Sequence, residues 1–171
     1  MPLHIPPTSK QRYISDMVAL NIRSPQGTGD WHSAATFASA LPEHIFIYGD
    51  NQPYNTNKLL GAKGIIDGTN RLNGMGIFPE NSPVFIADHP RACFDLLYTV
   101  VLQKCAINSV ILDDWFPAPE DKRAVYALIQ AAEPYLNHQQ KERLATWKQK
   151  NPINCQRQTQ NFSPDEPEIE L

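Results

Sequence analysis

The chain of 171 residues is long enough to bury one core and too short for two ordinary domains. Its 42% hydrophobic and 19% charged residues are typical of a globular protein, which excludes disorder along most of the chain. A formal net charge of −3 provides no general basic surface, so the composition disfavours nucleic acid as the main partner.

The cysteines and the N-terminus indicate the compartment. Cys93, Cys105 and Cys155 are odd in number and fit neither a disulfide framework nor a CxxC metal pattern, which predicts reduced thiols. The N-terminus has no charged segment followed by a long apolar stretch, and no apolar run reaches the roughly 18 residues of a membrane span. We therefore expect a cytoplasmic protein without a membrane partner.

Two helices are predicted before the first strand. Thr8 can cap a helix whose apolar residues, through Leu20, fall on one face. The segment from Arg23 to Gly29 is dense in turn formers and predicts a loop. Asp30 can cap a second helix, which ends before Pro42.

Short apolar runs predict three strands, at His44 to Tyr48, Val84 to Ala87 and Ser109 to Leu112. A helix that begins after Asp88 and runs to about Lys104 separates the last two runs. This order predicts a strand, helix, strand unit with parallel pairing. Residues 49–83 are rich in glycine and asparagine, so we expect a long irregular surface there.

The C-terminal part predicts two further helices, near Glu120 to Glu133 and His138 to Lys150. In residues 151–171, Arg157 stands against four acidic residues, so this segment carries the whole net charge of −3. The prediction is one α/β domain over residues 1–150, three-layer-like, with helices packed on a short and mostly parallel sheet of at least three strands. A disordered acidic tail over residues 151–171 follows it.

Polar side chains follow each of the three predicted strands. Ligands of parallel α/β sheets usually bind at the carboxyl ends of the strands, where loops and helix N-termini meet. Each of these residues could instead have a local role, as a helix cap or in a turn. The residues are Asp50 and Asn51, then Asp88, His89 and Arg91, then Asp113, Asp114 and Trp115.

This pattern predicts an enzyme or ligand-binding domain for a small phosphate-bearing or nucleotide-like compound. The predicted general acid/base is His32 or His89, and an aspartate, Asp30 or Asp114, orients it or binds a metal. The identity of any metal or cofactor stays open. The residues predicted to contact the ligand are Asp50, Asn51, Asp88, Arg91 at a helix N-terminus, Trp31, and Lys63 in a glycine-containing loop.

The segment Gly29-Asp30-Trp31-His32, followed by Gly49-Asp50-Asn51, resembles the Asp-x-His and Gly-Asp elements of binuclear metallophosphoesterases. This resemblance implies carboxylate and imidazole ligands that hold two metals and activate water. The chain departs from that family because it lacks the Gly-Asn-His element and the later paired histidines.

A function of a different class is also open. The acidic tail and exposed aromatic side chains could serve a protein-interaction module of the antitoxin, immunity or adaptor type. Deletion of residues 151–171 would weaken partner binding under this hypothesis and leave catalysis intact under the first.

Overall fold

Four short strands form one mixed sheet in the computed structural model, which describes residues 5–38 and 47–154. In chain order the strands are β1 (Arg12–Ile14), β2 (Ile47–Gly49), β3 (Ile65–Asp67) and β4 (Phe85–Ala87), and their spatial order is β2-β1-β4-β3. The central pair, β1 and β4, is parallel, and each outer strand is antiparallel to its neighbour. The predicted α/β class is confirmed, but the prediction of a mostly parallel sheet is wrong.

The first predicted helix is also wrong over most of its length. Residues Arg12–Ile14 form β1, and the helix that follows, α1, covers only Asp16–Leu20. Tyr13 and Ile14 are fully buried, where Tyr13 lies opposite Tyr48 in β2. An aromatic and a β-branched residue suit a pleated, buried strand, and pairing on both sides outweighs the helical spacing of the apolar residues.

The second predicted helix begins later than expected. Asp30 does not cap it; α2 covers Ala35–Ala38 and follows a longer loop. The predicted strand from His44 to Tyr48 is described from residue 47 onward, where β2 forms, and residues 44–46 lie outside the described residues.

The segment predicted as irregular contains three short elements: α3 (Asn57–Leu60), β3 and α4 (Thr69–Gly74). Gly68 joins β3 to α4 next to β4, and a Cβ at this position would lie 2.5 Å from Cδ1 of Ile86. A glycine here therefore allows β3 to pair closely with β4 before the chain turns.

The helix after β4 is confirmed. Asp88 caps it by accepting the backbone N–H of Arg91 at 2.9 Å, and α5 (His89–Leu96) continues as a π-helix over Leu97–Gln103. It packs between α1 and the later helix α7 (Pro119–Ala132).

The strand predicted at Ser109 to Leu112 does not form, so the strand, helix, strand unit is wrong. A 3₁₀ turn (Ile107–Ser109) leads through two extended residues into α6 (Leu112–Trp115). The extended backbone is satisfied by side chains: the Trp147 indole N–H donates to the carbonyl of Val110, and the N–H of Leu112 donates to Oδ1 of Asn151. These bonds replace a strand ladder.

The two C-terminal helices are confirmed as α7 and α8 (His138–Lys150), with a 3₁₀ turn at Glu133–Tyr135 between them. Asn151, placed by the sequence at the start of the tail, is buried, and its side chain bonds to Leu112 and to the carbonyl of Trp147. Residues 155–171, the rest of the predicted tail, lie outside the described residues. Within the described ranges, no helix has the length and apolar character needed to cross a membrane.

Candidate ligand-binding cleft

Backbone hydrogen bonds hold the loop between α1 and α2 in place. The N–H of Gly29 donates to the carbonyl of Trp115 at 3.0 Å, and the N–H of Asp30 donates to the carbonyl of Leu20 at 3.0 Å. Gly29 has φ +93°, and a Cβ there would lie 2.4 Å from the Leu20 carbonyl oxygen and 2.5 Å from Cε1 of His89. Glycine therefore lets the chain pass between α1 and the imidazole ring.

A cleft of about 580 Å³ opens between this loop and residues 113–117. A volume of this size is typical of sites for small organic ligands. The loop and α6 thus bring Asp30, Trp31 and Asp114, three of the residues predicted for the site, to one place. The lining residues are Met17, Asp30, Trp31, Asp113, Asp114, Trp115 and Pro117.

The two tryptophans of the cleft differ in exposure. Trp31 is 91% exposed, whereas Trp115 is 8% exposed. The indole N–H of Trp115 has no hydrogen-bond partner among the described residues. Because no enclosed side-chain nitrogen or oxygen in this part of the chain lacks a partner, that N–H reaches solvent. Both tryptophans line the cleft, and Trp31 gives it one large exposed apolar face.

The carboxylates of the cleft are not all balanced by positive charge. Asp113 forms an ion pair with Lys122, whose side chain is almost fully buried. The carboxylates of Asp30 and Asp114 form no hydrogen bond or ion pair with the described residues. Two negative charges therefore remain available, and they favour cations over anions in the cleft.

His89 lies behind the loop with both ring nitrogens bonded. Nε2 lies 2.6 Å from the carbonyl oxygen of Ile22, which can only accept, so Nε2 carries the proton. Nδ1 then accepts the hydroxyl proton of Thr28 at 2.8 Å. Burial, assisted by the neighbouring His32 and then by the positive charge of Arg71, lowers the pKa of His89 to about 4. His89 is thus neutral near pH 7 and has no nitrogen free for a ligand, so its predicted acid/base role gains no support from the geometry.

His32 stands between His89 and the loop surface. Its ring stacks nearly parallel on that of His89, with centroids 6.0 Å apart, and its Nε2 lies 2.8 Å from the carbonyl oxygen of Thr28. As for His89, the carbonyl assigns the proton to Nε2. Nδ1 has no hydrogen-bond partner in the part of the chain that the structure describes. Of the two predicted histidines, His32 is the one with a nitrogen available for chemistry.

Arg91 is fully buried and holds the fold together rather than lining the cleft. Its guanidinium donates to Oδ1 of Asp95 at 3.1 Å and to the carbonyl oxygens of Gly61 and Lys63. Three side-chain oxygens, from Tyr13, Thr56 and Asn57, accept its remaining bonds. The anion contact predicted for Arg91 therefore has no exposed donor. The side chain of Lys63 is exposed in the loop that Arg91 anchors.

Three further predicted residues do not reach the cleft. Asp50 and Asn51 are exposed in the turn after β2, where Asp50 accepts from Asn55 and its N–H donates to the carbonyl of Gln11. Because β2 is antiparallel to β1, its carboxyl end lies beside the start of β1, at the opposite edge from the ends of β1 and β4. Asp88 serves as the cap of α5, and burial raises its pKa.

The resemblance to metallophosphoesterases gains no support from this arrangement. It needs Asp30, His32 and Asp50 together, but the turn at Asp50 is bonded to Gln11 while the loop at Asp30 is bonded to Leu20. Within residues 5–38 and 47–154 there is no group of three or more histidine, cysteine or acidic side chains that could hold a metal ion.

The sequence reasoning missed two features of this region. One is the role of Gly29. The sequence suggests an ordinary turn residue, but Gly29 lies against His89, where a side chain would not fit. The other is Asp95, which accepts from Arg91, Tyr13 and Ser15. The spacing of four residues between Arg91 and Asp95 on a predicted helix was the signal that could have revealed this pair.

Comparison with known proteins identifies no relative: no family model, no curated protein and no solved structure matches the chain. The chemistry of the cleft is therefore inferred from its geometry.

Proposed function

We propose that the protein is a binding domain for a small organic ligand, held in the cleft between Trp31 and Trp115. The observation that supports this most directly is that Trp31, 91% exposed, and Trp115, 8% exposed, line the same cleft. A tryptophan buries about 150–250 Å² when it is covered, so covering about half of that area on Trp31 is worth about 2 to 3 kcal/mol.

The proposal keeps one part of the predicted ligand and changes the other. A flat, nucleotide-like ring suits stacking on Trp31. A phosphate is disfavoured, because Asp30 and Asp114 would repel it and Arg91, the predicted anion contact, is buried. His32 follows Trp31 in the loop but does not line the cleft, so the proposal is one of binding, without a catalytic role for His32. The cytoplasmic location predicted from the sequence remains part of this proposal.

A thermal-shift screen of the full chain tests the proposal. The compounds are nucleotides, phosphorylated metabolites, aromatic amines and divalent cations, and a ligand at 100 times its Kd adds about 2.7 kcal/mol of stability. We expect a hit among ring-containing compounds, and we expect Trp31→Ala to abolish its shift while the melting temperature without ligand stays the same. Tyr135→Ala, which removes another aromatic residue, 68% exposed and outside the cleft, is the matched control. A hit that stabilises Trp31→Ala as much as the parent protein would place the site elsewhere.

A protein-interaction module is the second candidate. Phe78 and Tyr135 are 64% and 68% exposed in addition to Trp31, and aromatic side chains are enriched in protein interfaces. Asn151 belongs to the fold, so the deletion that tests the acidic tail should begin at residue 155. Under this alternative, the deletion weakens partner binding and leaves small-molecule shifts unchanged.

A further inference from the structure

We infer that the ligand of the cleft is a small organic cation, an amine or guanidinium attached to a flat apolar group. This inference rests on the proposed function, since it specifies the ligand of the same site. It follows from two features of the cleft that act on different parts of a ligand: carboxylates without a positively charged partner, and an exposed indole face.

The carboxylates of the cleft determine which charge the ligand carries. Asp113 is neutralised by Lys122, but Asp30 and Asp114 have no positively charged partner among the described residues. Asp30 is half-buried and its backbone N–H is bonded to Leu20, which fixes the main chain from which its side chain lines the cleft. A cationic group in the cleft gains attraction from both carboxylates, and an anionic group is repelled by both.

The tryptophans specify the rest of the ligand. Trp31 exposes an indole face, which attracts cations through its quadrupole and also binds flat apolar groups. Trp115 also lines the cleft and is more than nine-tenths buried, so it adds a fixed apolar wall. The recognised compound therefore carries a positive group and a flat apolar part.

An inorganic divalent cation satisfies these features less well. A metal site needs several ligating side chains around one point, and no group of three or more histidine, cysteine or acidic residues in the described ranges provides it. An organic cation needs only the summed negative charge and uses both indoles, which a metal would leave without a contact.

Three compounds that share an indole ring and carry short 3-substituents of different charge test the inference: tryptamine (cationic), tryptophol (neutral) and indole-3-acetate (anionic). Each is added to the ¹⁵N-labelled full chain, and the indole N–H signals of its three tryptophans are followed by NMR. Trp147 is fully buried with its N–H bonded to Val110, so its signal serves as an internal control. We expect tryptamine to shift the signals of Trp31 and Trp115 at the lowest concentration, tryptophol at a higher one and indole-3-acetate least.

Charge-removing variants then locate the cation. Asp30→Asn and Asp114→Asn should each weaken tryptamine binding about fivefold, the equivalent of about 1 kcal/mol for one exposed charge pair. Both should leave tryptophol binding unchanged. Glu142→Gln removes an exposed carboxylate on α8, outside the cleft, and should change neither.

The outcomes separate this inference from the proposed function. If indole-3-acetate binds as tightly as tryptamine, the ligand is not selected by positive charge, although the cleft still binds flat rings. If none of the three compounds shifts Trp31 or Trp115, the inference is overturned, and the screen with Trp31→Ala decides the proposed function separately.

Discussion

The neutral state of buried His89 should make the stability of the protein depend on pH in a defined window. In the folded protein the pKa of His89 is about 4, below the ordinary value of 6.5, chiefly because the ring is buried. The fold therefore favours the neutral ring. Its contribution is fully present above about pH 6.5 and is lost as the pH falls toward 4.

The magnitude follows from the size of the shift. A difference of about 2.5 pKa units corresponds to about 3 kcal/mol in total, of which about 2.5 kcal/mol is lost between about pH 7.5 and pH 4.5. Protonation also removes the acceptor that Nδ1 provides to Thr28, whose hydroxyl lies 2.8 Å away. A loss of this size is a large fraction of the free energy of unfolding of an ordinary domain.

Urea denaturation at the two pH values measures the effect. His89→Gln can still donate to the carbonyl of Ile22 but does not titrate, so its loss of stability over this range should be smaller by about 2.5 kcal/mol. Half-buried Asp16 and Asp88 have pKa values raised by desolvation and act in the opposite direction at low pH, but both proteins contain them and their effect cancels. His138→Gln, at a strongly exposed histidine, is the control and should behave like the parent protein.

Equal pH dependence in His89→Gln and the parent protein would refute the reasoning. An NMR titration provides an independent measurement, because the His89 ring should stay neutral down to about pH 5. A midpoint near the ordinary value of 6.5 would show that burial does not control this group.

Two further variants test residues that stabilise the fold: Gly29, beside the cleft, and Arg91, in the core. Gly29→Ala should lose more than about 2 kcal/mol of stability, because a left-handed φ costs roughly 1 to 2 kcal/mol and the added Cβ meets Leu20 and His89. Gly27→Ala, with φ +68° and no atom within 4 Å, should show only the backbone cost; equal losses in the two variants would contradict the close packing of Gly29. Arg91→Met should cost about 3 to 5 kcal/mol in urea denaturation, because it leaves Asp95 buried without its charge partner, and a loss below about 1 kcal/mol would show that Arg91 is dispensable.

Local sequence signals predicted the three later helices well, and the first two helices and the strands poorly. The helix after Asp88 and the helix after Asn137 carry their caps in the sequence, and both form where they are expected. The strands are only three residues long, so their identity depends on distant partners. Val110 illustrates the difference: its apolar neighbours suggest a strand, yet its carbonyl accepts from Trp147, a residue far along the chain.

The direction of one strand explains why the predicted site residues are separated. The reasoning from the sequence assumed that all strand ends meet at one edge, and this holds for the parallel pair β1 and β4. Because β2 runs the other way, Asp50 lies at the opposite edge, and no local pattern near Asp50 could reveal that direction. The cleft instead forms where the loop at Asp30 meets Trp115, through a contact that depends on Gly29.

The separation of buried and exposed charge also decides what this protein can recognise. Arg91 is enclosed with Asp95, so the positive charge that was predicted to contact an anion is neutralised inside the fold. Lys122 is likewise buried and paired with Asp113. With these two cations used internally, Asp30 and Asp114 determine the charge of the cleft, and the surface beside Trp31 is negative although the folded part of the chain is nearly neutral. A site for a positively charged ligand therefore follows from where the cations are paired, which the composition alone does not reveal.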